Sequence, residues 1–281
     1  MDIGIGLPAG VPGAPPDVVV DWARRAEDAG FASVACVDRV RYDNYEPLIS
    51  LAAAAAVTQR IELVTSILIA PLREVTTLAK QVASLDALSG GRLTLGAAIG
   101  ARGDDYEMNE FSKAGRGDRL AEQLDRMVEL WEDGTITPSA ASRSRPRLLV
   151  GGASGPSLAR MARSTDGYIH NGGPARGFAR ARDEVLTAWH EGGRPGTPQT
   201  WSMGYVALGD AADAGRDYML DYYAFTGPYA VRIADGLLTT PLGVRELVQG
   251  YADAGCDHLM LFPAVADPDQ VEALASALGW S

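Results

Sequence analysis

Eight short apolar segments recur along the chain, and they are rich in Val, Ile and Leu. They cover residues 3–7, 33–37, 61–69, 93–99, 147–150, 167–170, 201–208 and 258–262. Continuous apolar runs of this length are typical of parallel strands that are buried on both faces. The pattern therefore predicts eight buried β-strands.

Segments with helical spacing of apolar residues fill the gaps between these strands. Helices are predicted over residues 17–29, 47–58, 75–88 and 120–131, and from near residues 157, 175 and 244. Asp17 is expected to cap the first helix, which ends before Gly30. Eight strand–helix units on a chain of this length predict one α/β domain over residues 1–281, a (β/α)8 TIM-type barrel.

Residues 210–241, after the seventh strand, are longer than a strand–helix connection requires. Their aromatic residues are Tyr218, Tyr222, Tyr223, Phe225 and Tyr229. One interpretation is a helical insertion that covers a substrate with an aromatic wall. The other is an added pair of helices that only packs on the barrel.

Composition and charge exclude several classes of function. The formal net charge is -11, whereas nucleic acid and anionic membranes attract basic surfaces. No run reaches the roughly 18 apolar residues of a membrane span, and the N-terminus lacks the features of a signal peptide. The three histidines and two cysteines show no metal-ligand spacing. We therefore expect a cytoplasmic protein without a metal site.

The carboxyl ends of the strands are the expected place for chemistry, because TIM-type barrels carry their active sites there. The fourth strand ends at Gly100, which would let a ligand approach the backbone. Arg102, Tyr106 and Asn109 follow it closely. This loop is therefore a candidate part of the site.

Two glycine pairs are a more specific signal. Gly151-Gly152-Ala153-Ser154 follows the fifth strand, and Asn171-Gly172-Gly173 follows the sixth. Glycines before a helix N-terminus let backbone N–H groups converge on a phosphate. Tight turns are the alternative explanation for either pair. Phosphate sites of barrels often follow the seventh and eighth strands, so this placement is a departure.

The chain resembles the bacterial luciferase-like oxidoreductases, which use a flavin or the deazaflavin coenzyme F-420. The resemblance is strongest over residues 45–100 and extends to WARRAEDAGFASVACVDRV, LLVGGAS and DGYIHNGG. It covers nearly the whole chain and is specific for a barrel fold. It says little about substrate, because members share a scaffold and differ in their loops.

The resemblance implies particular positions for the cofactor. The ring system would rest on a backbone bulge at Thr65, Ser66 and Ile67, often formed with a non-prolyl cis peptide. The cofactor phosphate would lie at the two glycine pairs. Asn109 would bond the ring edge, and Tyr106 would donate a proton or contact the substrate.

The end of the second strand departs from the family pattern. Asp38 matches an acidic position, but Arg39 stands where relatives often have histidine. Because arginine stays protonated, it is a poor proton carrier. Arg39 is expected either to bind an anion of substrate or cofactor, or to pair with Asp38 in solvent.

The resemblance leaves three functions open. The favoured one is hydride transfer between F-420 and a small organic substrate, because the composition resembles that of actinobacterial proteins. Arg73, Arg102 and Arg176 would then meet the anionic tail of the coenzyme. The alternative is a monooxygenase that uses FMN reduced by a partner reductase. A non-catalytic ligand-binding barrel is the third, and the family resemblance implies a homodimer.

Overall fold

A closed barrel of eight parallel strands forms the centre of the molecule. The structure is a computed structural model that describes residues 1–139, 145–152 and 155–280. The strands follow chain order around the barrel, and β8 pairs with β1 to close it. They are β1 (Asp2–Gly6), β2 (Ser33–Cys36), β3 (Glu62–Ile69), β4 (Leu93–Ala98), β5 (Arg147–Gly151), β6 (Gly167–Ile169), β7 (Gln199–Val206) and β8 (His258–Pro263). The predicted barrel is confirmed, and every predicted strand overlaps an observed one.

Helices surround the barrel and connect successive strands. They are α1 (Pro16–Asp28), α2 (Pro47–Val57), α3 (Val75–Leu88), α4 (Asp104–Met108), α5 (Arg116–Glu132), α6 (Gly155–Ser164), α7 (Ala175–Glu191), α8 (Ala212–Tyr222), α9 (Tyr229–Ala234), α10 (Pro241–Asp253) and α11 (Gln270–Ala277). The predicted cap of α1 is wrong. Pro15 is the N-cap residue, and Asp17 lies in the first turn, where its carboxylate still complements the helix dipole.

The strands separate two apolar layers. Side chains that point into the barrel form an inner cluster, which includes Val64, Leu149, Met203 and Met260. A larger outer cluster lies between strands and helices, where the apolar stripe of each helix meets the sheet. Because both strand faces are buried, the strands appear in the sequence as continuous apolar runs.

Polar side chains fill the amino-terminal end of the barrel, opposite the expected site. Ser33 Oγ lies 2.8 Å from His258 Nε2, and the imidazole stacks on Trp201 with ring centroids 4.4 Å apart. Nearby, Arg147 forms an ion pair with Glu62. Burial lowers the pKa of His258 to about 4, so the side chain is neutral in the folded protein near pH 7.

Helices α8 and α9 lie within the segment 210–241, where the sequence predicts a helical insertion. After α9 the chain returns to the barrel, and Leu238 forms a parallel bridge with Val206 at the end of β7. That the segment is an insertion into the barrel stays a prediction. Across the described residues, no helix has the length and apolar character needed to cross a membrane.

Candidate active site

A bulge interrupts the third strand at the barrel mouth. The pairing of β3 with β4 shifts register between Thr65 and Leu68, and the Ser66–Ile67 peptide bond is cis. Thr65 Oγ1 compensates for the lost ladder bonds: it donates to the Gly96 carbonyl at 2.8 Å and accepts from the Gly96 N–H at 2.9 Å. The bulge and cis bond lie where the family resemblance implies them.

The bulge turns Ile67 toward the end of β5. A Cβ atom added to Gly151 would overlap Ile67 Cδ1, and one on Gly96 would lie 3.3 Å from Ile67 Cγ1. A side chain at position 151 would therefore require the Ile67 side chain, which belongs to another strand, to move. This contact joins the bulge to the first glycine pair, although the two features are far apart in the sequence.

The two glycine pairs lie side by side, because Gly151 pairs with Ile169 across β5 and β6. Gly152, Gly172 and Gly173 have φ values of 132°, 86° and 98°, which strongly favour glycine. Helix α7 begins at Ala175, directly after the second pair. Asn171 is exposed there, whereas Ala153 and Ser154 lie outside the described residues.

We call these three features, the bulge and the two glycine pairs, the glycine side of the mouth. A Cβ atom at Gly172 would lie 2.7 Å from the Met203 carbonyl oxygen, whereas one at Gly173 would meet nothing within 4 Å. Space for an approaching ligand is thus present at Gly173. A flat ring system with a phosphate fits such a surface, and binding at these residues stays a prediction.

Asp38 is saturated by hydrogen bonds from its surroundings. Its carboxylate accepts the Ile69 N–H at 2.8 Å and two Nη groups of Arg73 at 2.6 and 3.1 Å. Arg73 also bonds Glu46 at 2.9 Å. This arrangement fixes the backbone just after the bulge and gives Asp38 a positioning role. Arg73 is held by carboxylates and is not free for a coenzyme tail.

Arg39 does not pair with Asp38, which corrects that expectation. Its Nε bonds Asp105 and its Nη2 bonds Asp104, both at 3.0 Å, and the residue is only 7% exposed. Asp105 also accepts the N–H groups of Val40 and Arg41. Arg39 therefore joins the loop after β2 to α4. The two carboxylates already neutralise the charge proposed for anion binding.

The other candidates after β4 have structural partners. Tyr106 is buried against Ile69 and Leu72, and its hydroxyl donates to the Ile99 carbonyl. Asn109 donates to the Asp105 carbonyl at 2.7 Å and closes α4. These contacts give both side chains packing roles. Gly100, with φ of 67°, turns the chain away from Ile69 at the mouth.

Aromatic side chains form the side of the mouth opposite the bulge. We call this group the aromatic wall; it consists of Tyr42, Tyr205, Tyr218, Tyr222, Tyr223, Phe225 and Phe262. Helix α8 and the turn after it supply four members, and the remainder come from β7, β8 and the loop after β2. Tyr229 is 57% exposed and takes no part.

Hydrogen bonds fasten this wall to the barrel. The Tyr42 hydroxyl donates to Asp221 at 2.5 Å, and the Tyr223 hydroxyl donates to that of Tyr205 at 3.0 Å. Burial raises the pKa of Tyr205, Tyr222 and Tyr223, so their hydroxyl groups stay protonated at neutral pH. The wall is therefore uncharged apart from the arginines that touch it.

Three wall residues were missed by the sequence analysis: Tyr42 in the loop after β2, and two strand residues, Tyr205 and Phe262. Both strand residues lie on continuous apolar strands, where the pattern predicts that an aromatic residue belongs to the core. The available signal is the period of two along β7, because Trp201, Met203 and Tyr205 share the inward face. The last of these, nearest the carboxyl end, reaches the mouth.

No set of three His, Cys, Asp or Glu side chains suited to a metal ion occurs within residues 1–139, 145–152 and 155–280. A groove of about 760 Å³ runs between α6 and α7 on the outer surface of the barrel. It is lined by small apolar residues and by Asp183, Glu184 and Glu191. The groove is separate from the bulge and the aromatic wall, which remain the candidate site.

Comparison with known proteins identifies the family. The profile of the luciferase-like monooxygenase family matches residues 1–275, and the chain belongs to this family. Members are F-420- or flavin-dependent oxidoreductases and monooxygenases, so the chain is a member of an enzyme family.

Individual relatives and solved structures carry names of different activities. An uncharacterised protein of Mycobacterium tuberculosis is 34% identical over 44% of this chain and 49% of its own length, so the match spans about half of that relative. The F-420-dependent glucose-6-phosphate dehydrogenase of Kribbella flavida is 31% identical over 68% of this chain and 64% of its own. A monooxygenase of Streptomyces bottropensis has a similar structure, with a TM-score of 0.80, 23% identity and coverage of 100% and 97%.

Proposed function

We propose that this protein transfers a hydride between the deazaflavin coenzyme F-420 and a small organic substrate. The observation that carries the proposal is the divided mouth, with the bulge and glycine turns on one side and the aromatic wall on the other. A flat coenzyme with a phosphate suits the first side, and a substrate suits the second. The match to an enzyme named as F-420-dependent supports this choice of coenzyme.

The residues of the chain would divide the work as follows. Thr65, Ser66 and Ile67 support the ring system, and Gly151, Gly152, Gly172 and Gly173 accommodate the phosphate. The coenzyme, when bound, accepts or supplies the hydride. The aromatic wall excludes water from the transfer. The Tyr205 hydroxyl accepts the proton of Tyr223 and keeps its own, so it is the neutral donor that can hydrogen-bond a substrate oxygen.

An FMN-dependent monooxygenase is the second candidate. The observation in its favour is that the glycine turns suit the phosphate of FMN as well as that of the deazaflavin. Such an enzyme would need reduced flavin from a partner reductase. The likeness to the Streptomyces monooxygenase concerns the fold alone, at 23% identity, whereas the F-420 relative is similar in sequence.

A titration with each coenzyme separates the two candidates. Purified protein is mixed with F-420 and, separately, with FMN, and the quenching of coenzyme fluorescence gives each Kd. We expect F-420 to bind at least tenfold more tightly, which corresponds to about 1.4 kcal/mol. Tighter binding of FMN, with substrate-dependent oxygen uptake when reduced FMN is supplied, would establish the monooxygenase instead. Binding of neither coenzyme would reject both.

A further inference from the structure

Arg102 is placed unusually among aromatic rings at the mouth. Its Cζ lies 4.2 Å from the ring centroid of Tyr222 and 4.3 Å from that of Phe225. Its Nη2 donates to the Tyr222 carbonyl, whereas its Nε is buried without a hydrogen-bond partner. A guanidinium that lies over two aromatic rings has its edges left for hydrogen bonds. The unpartnered Nε lies on such an edge, which is the geometry that carboxylates use.

The charge of Arg102 also distinguishes it from its neighbours. Arg39 is neutralised by Asp104 and Asp105, and Arg73 by Asp38 and Glu46. Arg102 forms no ion pair with any residue that the structure describes. In a chain of net charge -11, an unneutralised and half-buried cation is a local site for an anion.

The surroundings of this cation restrict the anion further. Tyr222 and Phe225 flank it, and Tyr223 lies 5.8 Å from Cζ. The chain of contacts continues through Tyr205 to Phe262 on the far side of the mouth. A planar apolar body can pack on these rings by stacking or by edge-to-face contact.

We propose that Arg102 binds the carboxylate of an aromatic substrate whose ring packs against the aromatic wall. This proposal rests on the proposed function and specifies its substrate class. The Nε of Arg102 gains a hydrogen-bond acceptor, and its charge gains a partner. Arg39 and Arg102 both touch the aromatic wall, and among the described residues Arg39 has carboxylate partners whereas Arg102 has none. One carboxylate therefore matches the unneutralised charge at the wall, and the substrate is a monoanion.

A sugar phosphate, named for one relative, fits the same surface poorly. A phosphate dianion calls for more than one free cation, and Arg39 and Arg73 are already paired. Sugar hydroxyls require polar partners, yet the hydroxyls of Tyr42 and Tyr223 are engaged by Asp221 and Tyr205. Unmatched hydroxyls would lose their water without replacement.

The test compares two probes of the same shape that differ in charge. Affinities for benzoate and benzamide are measured by calorimetry, with and without F-420, on the wild type, Arg102→Gln and Arg102→Lys. Arg232→Gln is the matched control: it removes the same charge from an exposed position of α9. Glucose 6-phosphate is titrated as a third probe.

The wild type is expected to prefer benzoate over benzamide at least tenfold and to bind glucose 6-phosphate more weakly than benzoate. Arg102→Gln should abolish this preference, because the charge-assisted hydrogen bond to benzoate is lost. The affinity for benzamide should change less than twofold. Arg102→Lys should retain part of the preference, and Arg232→Gln all of it.

Two results would overturn the proposal. The first is a wild type that does not distinguish benzoate from benzamide. The second is an equal loss of affinity for benzoate and for benzamide in Arg102→Gln. That result would mean that the side chain only stabilises the contact between the loop after β4 and α8. Failure of the wild type to bind F-420 would count against the coenzyme assignment instead, whereas loss of F-420 binding in Arg102→Gln alone would assign this side chain to the anionic tail of the coenzyme and overturn the proposal. The two failures are distinguishable, because the probe ratio is also measured without coenzyme.

Discussion

At the scale of single residues, the glycine turns are the proposed place of approach for a phosphate. Gly152 and Gly173 both have positive φ, but their surroundings differ. A Cβ atom on Gly152 would lie 2.8 Å from Ser157 Cβ, whereas Gly173 faces open space. Substitution at Gly152 would therefore disturb packing as well as binding. Gly173 is the better position for testing the phosphate site.

We predict that Gly173→Asp weakens binding of the phosphate-bearing coenzyme at least tenfold. The carboxylate would lie in the space open to the ligand and repel its phosphate. Gly30→Asp is the matched control, because Gly30 has a φ of 90° and open space but lies in the turn between α1 and β2. Both changes should cost a similar 1–2 kcal/mol of stability, roughly the penalty for a left-handed residue.

Coenzyme fluorescence and urea unfolding of the two variants check this prediction. If both variants bind the coenzyme equally well, the glycine turns do not hold its phosphate.

At the scale of elements, the bulge of β3 depends on one side chain of that strand. Thr65 is fully buried, and its hydroxyl replaces the backbone partners that Gly96 loses at the register shift. The strand can therefore leave its regular path without unpaired backbone groups. This pair of hydrogen bonds sets the position of the bulge, which is the proposed support of the ring system.

We predict that Thr65→Val lowers stability by about 1–3 kcal/mol and also weakens coenzyme binding severalfold. Valine keeps the shape but leaves the Gly96 N–H without its acceptor. Thr200→Val is the control, because Thr200 is equally buried and bonds Asp257 at the other end of the barrel. It should lose comparable stability in urea unfolding. Unchanged coenzyme affinity in Thr65→Val would show that the bulge does not support the ring.

The strands and helices could be predicted from the sequence, whereas the side-chain contacts between elements could not. Strands and helices followed from apolar periodicity, because burial sets that pattern directly. The partners of Arg39 did not follow, since Asp104 and Asp105 reach it only through the path of the loop after β4. The N-cap of α1 was also misassigned. Pro15 and Pro16 set that start through their fixed φ, and no side chain caps it.

At the scale of the whole molecule, the candidate site lies at one end of the barrel and a cluster of buried polar side chains lies at the other, structural end. The structural end contains His258, whose burial lowers its pKa to about 4, against about 6.5 in an unfolded chain. Below pH 6.5 the unfolded state therefore binds more protons than the folded state. Stability is full above that pH and falls as the pH drops toward 4.

We predict that the free energy of unfolding decreases by about 2 kcal/mol from this group between pH 7 and pH 5. His258→Gln should be less stable at pH 7 but should lose less on acidification. Burial also lowers the pKa of His170, so some dependence should remain. His190→Gln, at an exposed position, is the control. Urea unfolding at both pH values measures the difference, and an unchanged slope in His258→Gln contradicts the prediction.

The global arrangement was predictable to the level of family and barrel, and the site only in outline. The position of Gly151, Gly152, Gly172 and Gly173 at the barrel mouth could be predicted, because glycine pairs after strands are visible in the sequence, whereas their binding of a phosphate stays a prediction. The aromatic wall was found only in part, because Tyr205 and Phe262 are indistinguishable from core until the strands close into a barrel. Arg102 was noticed, but its stacking depends on α8 lying across the mouth.

The contact between Ile67 and Gly151 has a consequence for the history of the protein. The Ile67 side chain occupies the volume that a side chain at position 151 would need, so a change at position 151 depends on position 67, whereas position 67 can be shortened on its own. A lineage that acquires a side chain at position 151 must first shorten position 67. We therefore expect these two sites to covary among relatives, with small residues at 67 accompanying any replacement of the glycine. Substitutions at these two positions of the mouth are thus coupled, whereas the sequences of the surrounding loops are free to diverge.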